Sequence, residues 1–128
     1  MPESAFGIWL KGLRERSKLS LRDLAQRSEV DHAYIHRLET GAKEAPSGEV
    51  VNKLSGALSP TKRDADIFRF LANHPNIDIN MLNFVRENAN VTFDEFHMLT
   101  TVVNRGARPD YATSLARIRR ILQEDDDG

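Results

Sequence analysis

The 128-residue chain contains no cysteine. Disulfides, thiolate nucleophiles and cysteine-ligated zinc are therefore excluded. No apolar run approaches the length needed to span a bilayer, and the N-terminus lacks a signal-peptide pattern, so a cytoplasmic setting with no membrane partner is expected. Charge of one sign is not in excess, with 18 Lys and Arg against 19 Asp and Glu. There is no phosphate-cradling glycine loop, no HExxH and no nucleophile elbow, so nothing supports catalysis or a bound cofactor.

What is present is a stretch from Ser20 to Gly41 that reads as two short helices and a tight turn. Ser20 suits the N-cap of the first helix, and Leu21, Leu24 and Ala25 share one of its faces. Asp31 suits the N-cap of the second. Ile35 and Leu38 form its apolar side, and Gly41 stands where a left-handed terminal residue is needed. Ala25 is small, as a steep helix crossing requires. This is a helix-turn-helix arrangement, whose second helix enters the DNA major groove.

The match extends beyond these two helices. It takes in Leu13-Arg14, Leu19-Ser20-x-x-x-Leu24-Ala25, Tyr34-Ile35-x-x-Leu38-Glu39-x-Gly41, Pro46-Ser47 and Leu54-x-x-Ala57-Leu58. In these residues the first half of the chain resembles the XRE/Cro repressor-type helix-turn-helix family. The resemblance implies a structural ion pair between Arg14 and Glu39, which ends the recognition helix. Such a partly buried pair fixes helix geometry more than it adds net stability. One departure is Glu29 in the inter-helix turn, where the family usually has glycine for a positive φ; a strain of about 1 kcal/mol is expected there.

With Ile35 and Leu38 inward, the recognition helix over about residues 31–40 turns His32, Ala33, His36 and Arg37 outward as candidate base contacts. Arg37 suits guanine O6 and N7, His32 a base edge, and Ala33 a thymine methyl group. Phosphate candidates are Lys18, Ser20, Arg22, Tyr34, Thr40 and Lys43. Residues 1–74 carry 12 basic against 10 acidic residues, and 75–128 carry 6 against 9. Few phosphate contacts per subunit are therefore expected, which favours a dimer. His32 and His36 are four apart, a spacing that suits metal chelation, but no third ligand is evident and no metal site is assigned.

Flanking helices are predicted over residues 4–16, capped by Ser4, and 47–58, capped by Ser47. Thr61-x-x-Asp64 resembles a capping box and opens a fifth helix to about Asn73. His74-Pro75-Asn76 marks the domain boundary. Three more helices follow, one over about 79–88, one from the capping box Thr92-x-x-Glu95 to Gly106, and a last one from Pro109-Asp110. On the last, Tyr111, Leu115, Ile118 and Leu122 recur as a seam. It could be internal, but three short helices make a small core, so a dimer interface is the expected use. The same size argument leaves no obvious small-molecule pocket in the C-terminal half.

The segment from Leu99 to Pro109, with Leu115-x-x-Ile118-x-x-Ile121-Leu122, resembles the C-terminal domain of DdrO/ImmR-like repressors. That resemblance implies dimerisation and a partner zinc metalloprotease cutting the Asn104–Arg105 bond. The expected fold is all-α: a five-helix DNA-binding bundle at 1–73, a three-helix dimerisation domain at 77–123 and a disordered acidic tail at 124–128. The expected function is a homodimeric repressor binding double-stranded DNA at an inverted-repeat operator. The alternative is an antitoxin-type module that neutralises a partner protein.

Overall fold

Each helix starts on a side chain able to replace the hydrogen bonds its first turn lacks. A computed structural model describes residues 4–42, 46–74, 77–102 and 110–127. Among them are eight helices and no strand. Ser4 Oγ accepts from Gly7 N at 2.9 Å and opens α1 (Ala5–Arg16). Ser20 opens α2 (Leu21–Ser28), and Asp31 opens α3 (His32–Thr40). Ser47 opens α4 (Gly48–Leu58), and Thr61 opens α5 (Lys62–Asn73). Asp78 accepts from Asn80 N ahead of α6 (Ile79–Glu87). Thr92 and Glu95 exchange bonds of 3.1 and 2.9 Å around the start of α7 (Phe93–Val102). Asp110 accepts from Thr113 N at the opening of α8 (Tyr111–Asp127).

The chain divides into two compact units, Met1–Ile77 and Asp78–Gly128. In the first, Phe6, Trp9, Leu10 and Leu13 of α1 are buried together with Leu24, Ile35, Leu38, Leu54, Ile67, Phe68 and Leu71. Phe6 stacks on Phe68 with centroids 4.8 Å apart. Trp9 Nε1 donates to Asp64 O at 3.2 Å, which ties α1 to α5. The capping box expected at Thr61 is half made. Asp64 N donates to Thr61 Oγ1, but the Asp64 carboxylate turns to Arg16 at 3.5 Å and Arg63 at 3.6 Å. A buried carboxylate does better beside two guanidiniums than on a helix-opening N–H.

Where α1 meets α3 the helices approach through Gly7. A Cβ there would lie 2.4 Å from Leu38 O and 2.8 Å from Glu39 O. This close approach belongs to the α1–α3 crossing, a different pair from the α2–α3 crossing for which the sequence supplies Ala25. Glu29 adopts φ 61° and ψ 28°, the left-handed conformation expected of that turn. Lys18 also has positive φ, at 57°.

In the second unit Met81, Leu82, Val85, Val91, Phe96 and Leu99 are buried, and α7 packs on α8. Leu115 and Ile118 are 7% and 2% exposed. Tyr111 and Leu122 are half-buried, and the Tyr111 hydroxyl donates to the Asp78 carboxylate. The seam expected to form a dimer interface is therefore largely spent inside the unit. Helix α7 packs against it, and Phe84 of α6 lies beside Tyr111 with ring centroids 5.7 Å apart. Among the described residues, the exposed large apolar side chains are Ile79 and Ile121.

Helix α8 runs to Asp127, through residues expected to be a disordered acidic tail. Extending an existing helix requires no new nucleus, and no Gly or Pro interrupts it before Gly128. The Asn104–Arg105 bond and Lys43 lie outside the described residues.

Two outcomes follow from this packing. Gly7→Ala forces α1 off α3, and chemical denaturation should register a loss of about 1–3 kcal/mol. The second concerns Glu95, whose side chain is 9% exposed and 2.8 Å from Arg119 Nε. Burial alone would raise its pKa, but the Arg119 bond and the Thr92 backbone N–H outweigh burial and hold it below its ordinary 4.5. A carboxyl whose folded pKa is depressed stabilises above its unfolded pKa, and that contribution is lost as pH falls through the folded value. Below pH 4.5 the wild type should lose stability more steeply than Glu95→Gln, as followed by thermal melts across an acid series.

Candidate nucleic-acid interface

One face of α3 is locked down and the other is left bare. Ile35, Leu38 and Glu39 are 0%, 1% and 6% exposed. Glu39 sits beneath α1 because Arg14 receives it with a two-pronged grip. Arg14 Nε donates to Glu39 Oε2 at 2.7 Å, and Nη2 donates to Oε1 at 2.9 Å. Arg14 Nη1 also donates to Leu19 O at 2.9 Å, in the link between α1 and α2. The Glu39 hydrogen bond pushes the Arg14 pKa above its already high ordinary value, against the pull of burial. The expected ion pair is formed, and it pins three segments at one point.

At about 100° per residue, positions 32, 33, 36, 37 and 40 fall within an arc of about 140° on the opposite side. His32, Ala33, His36, Arg37 and Thr40 are all exposed. The residues expected to meet bases thus share one bare surface. Arg37 makes no ion pair among the described residues, whereas Arg14, Arg16, Arg63 and Arg69 are each held by a carboxylate. An arginine without an internal partner keeps its planar fork of donors for a ligand. His32 Nδ1 lies 4.0 Å from Asp31 Oδ1, too far for a hydrogen bond to fix the ring.

The phosphate candidates are placed less uniformly. Lys18 and Arg22 are exposed, with no ion pair among the described residues. Thr40 is exposed, and its hydroxyl donates to Arg37 O at 3.3 Å. Tyr34 is half-buried. Ser20 is engaged in a complete capping box: Asp23 N donates to Ser20 Oγ at 3.0 Å, and Ser20 N donates to Asp23 Oδ2 at 3.1 Å. Its own N–H is therefore not free for an anion, and the Asp23 carboxyl pKa is lowered, chiefly by this backbone bond. Ser20-x-x-Asp23 carries the signal for that box, and sequence reasoning did not use it. Gly7 was also missed, since nothing near it in the chain tells which helix will cross it.

Residues 5–59 match the helix-turn-helix domain family. The matched span runs from the start of α1 to the residue after α4, and so holds the Arg14–Glu39 grip and the whole bare arc. Over 54 residues the chain is 41% identical to the HTH-type transcriptional repressor RghR of Bacillus subtilis (strain 168). That alignment covers 42% of this chain, and the chain spans 40% of the relative's length. No solved structure matches. None of the described helices is long and apolar enough to cross a membrane. Among the described residues no three His, Cys, Asp or Glu side chains are grouped to hold a metal ion.

Removing Arg14 strands a carboxylate whose side chain is 4% exposed. Arg14→Ala should cost about 3 kcal/mol by urea denaturation, and the paired change Arg14→Met with Glu39→Leu should recover most of it. A loss under about 1 kcal/mol in the single variant would show that the pair does not hold α3 in place.

Proposed function

We propose that the protein is a sequence-specific DNA-binding transcriptional repressor. The observation that carries this reading is the bare arc of α3, with His32, Ala33, His36 and Arg37 outward over a buried Ile35, Leu38 and Glu39. The likeness of residues 5–59 to helix-turn-helix domains, and of 54 residues to a transcriptional repressor, supports it. In this reading α3 lies in the major groove. Arg37 donates two bonds to a guanine, His32 and His36 meet base edges, and Ala33 touches a thymine methyl. Lys18, Arg22 and Thr40 hold the backbone and set the register without reading sequence.

The protein acts as a homodimer on an inverted repeat, with half-sites about one helical turn apart. One copy offers few unpaired cations on this face, so two copies are needed to gather enough phosphate contacts. Self-association uses the exposed Ile121 and the half-exposed Leu122, because Leu115 and Ile118 are already committed to the core. Release from DNA comes from a partner metalloprotease cutting at Asn104–Arg105. That step rests on the resemblance of the segment from Leu99 to Pro109 to repressors controlled in this way.

The test is binding of Arg37→Ala and Lys18→Ala to a selected operator and to random duplex. Arg37→Ala should weaken operator binding by about 1–3 kcal/mol and leave random-duplex binding nearly unchanged. Lys18→Ala should weaken both alike and flatten the salt dependence. Equal losses on both duplexes for Arg37→Ala would assign it to phosphate. Failure of a binding-site selection to enrich any sequence would end the reading.

A further inference from the structure

The size of the C-terminal half argues against a pocket, yet the folded second unit opens a groove of about 520 Å³. It runs between α8 and the end of α6 with the turn that follows. The volume falls within the range of small-molecule sites. Phe84 and Leu115 form an apolar floor. Ala112 and Ala116 are four apart on α8, and their short side chains leave the space above that floor open.

The polar lining is cationic or neutral, with two arginines and the carboxamides of Asn88, Asn90 and Gln123. Arg119 and Arg120 stand on the α8 side, with Asn88 and Asn90 opposite, and the described lining contains no carboxylate. Arg119 is held still from behind. Its Nε donates to Glu95 Oε2 at 2.8 Å, and its Nη2 lies 3.5 Å from both Glu95 Oε1 and Asn90 O, which leaves Nη1 for a ligand. Arg120 is exposed and makes no ion pair among the described residues. A positioned guanidinium beside an exposed one, next to an aromatic ring and a leucine, matches a carboxylate attached to a planar apolar body. Inorganic phosphate would engage the arginines and leave Phe84 and Leu115 uncovered.

We propose that this groove binds a small organic anion, with the carboxylate on Arg120 and the Nη1 of Arg119 and the planar body against Phe84. A second copy of the chain is the less fitting occupant. The exposed apolar side chain of α8, Ile121, lies about 180° around the helix from the groove, at 100° per residue. The chemistry of the groove does not depend on what the first unit binds.

The experiment is calorimetric titration of the full chain with cinnamate, and with cinnamamide as its uncharged counterpart. Cinnamate should bind saturably at one per chain, and cinnamamide about tenfold more weakly. Arg120→Ala should weaken cinnamate by a similar factor without moving the thermal unfolding midpoint. Ala116→Leu fills the groove and should abolish binding while the chain stays folded by circular dichroism. No saturable binding at millimolar cinnamate, equal binding of the amide, or indifference to Arg120→Ala would each overturn the proposal. So would a dimer, seen by sedimentation, that Ala116→Leu dissociates, because a second copy would then occupy the groove.

Discussion

Arg14 directs its donors at two places. Two N–H groups close on the Glu39 carboxylate at the end of α3, and a third reaches the carbonyl of Leu19 in the link before α2. This one planar group ties the end of α3 to α1 and to the link before α2. A lysine could not hold both places, because an ammonium is a point charge without a fixed fork. The pair is mostly shielded from water, with side-chain exposures of 14% and 4%. Its contribution lies in geometry, since a well-packed apolar pair of similar volume would stabilise the fold about as well.

Everything else in the first unit serves the same placement. Gly7 lets the α1 backbone come down on the last carbonyls of α3, which brings Glu39 within reach of Arg14. Ile35 and Leu38 anchor the inward face, so the outward face is defined by exclusion. Glu29 takes the left-handed turn that fixes the angle between α2 and α3, although a side chain there is strained. The price is a strained turn, accepted in a position where glycine would be easier.

Helix positions were legible in the sequence because capping is local. Ser4, Ser20, Asp31, Ser47 and Thr92 each announce a start within four residues. Partners were less legible, because they depend on what lies across space. Ser20-x-x-Asp23 and Thr61-x-x-Asp64 have the same pattern. Asp23, exposed, completes its box, while Asp64, buried beside Arg16 and Arg63, does not. The spacing of Tyr111, Leu115, Ile118 and Leu122 showed that α8 has an apolar face, but periodicity does not say whether that face meets its own chain or another. The outward set on α3 could be read because Ile35 and Leu38 left it only one side. The groove beside α8 could not, since concavity comes from what Ala112 and Ala116 fail to fill.

The capping box at Ser20 bears on how α2 would approach a nucleic-acid strand. A helix start is usually a vacant seat for negative charge, but here Asp23 already occupies part of it. A phosphate arriving at this end would not fill an empty position. It would displace a resident carboxylate or settle beside it, on the Leu21 and Arg22 amides. The same side chain that makes α2 self-sufficient is therefore a built-in competitor, and it sets a ceiling on the grip this helix can exert.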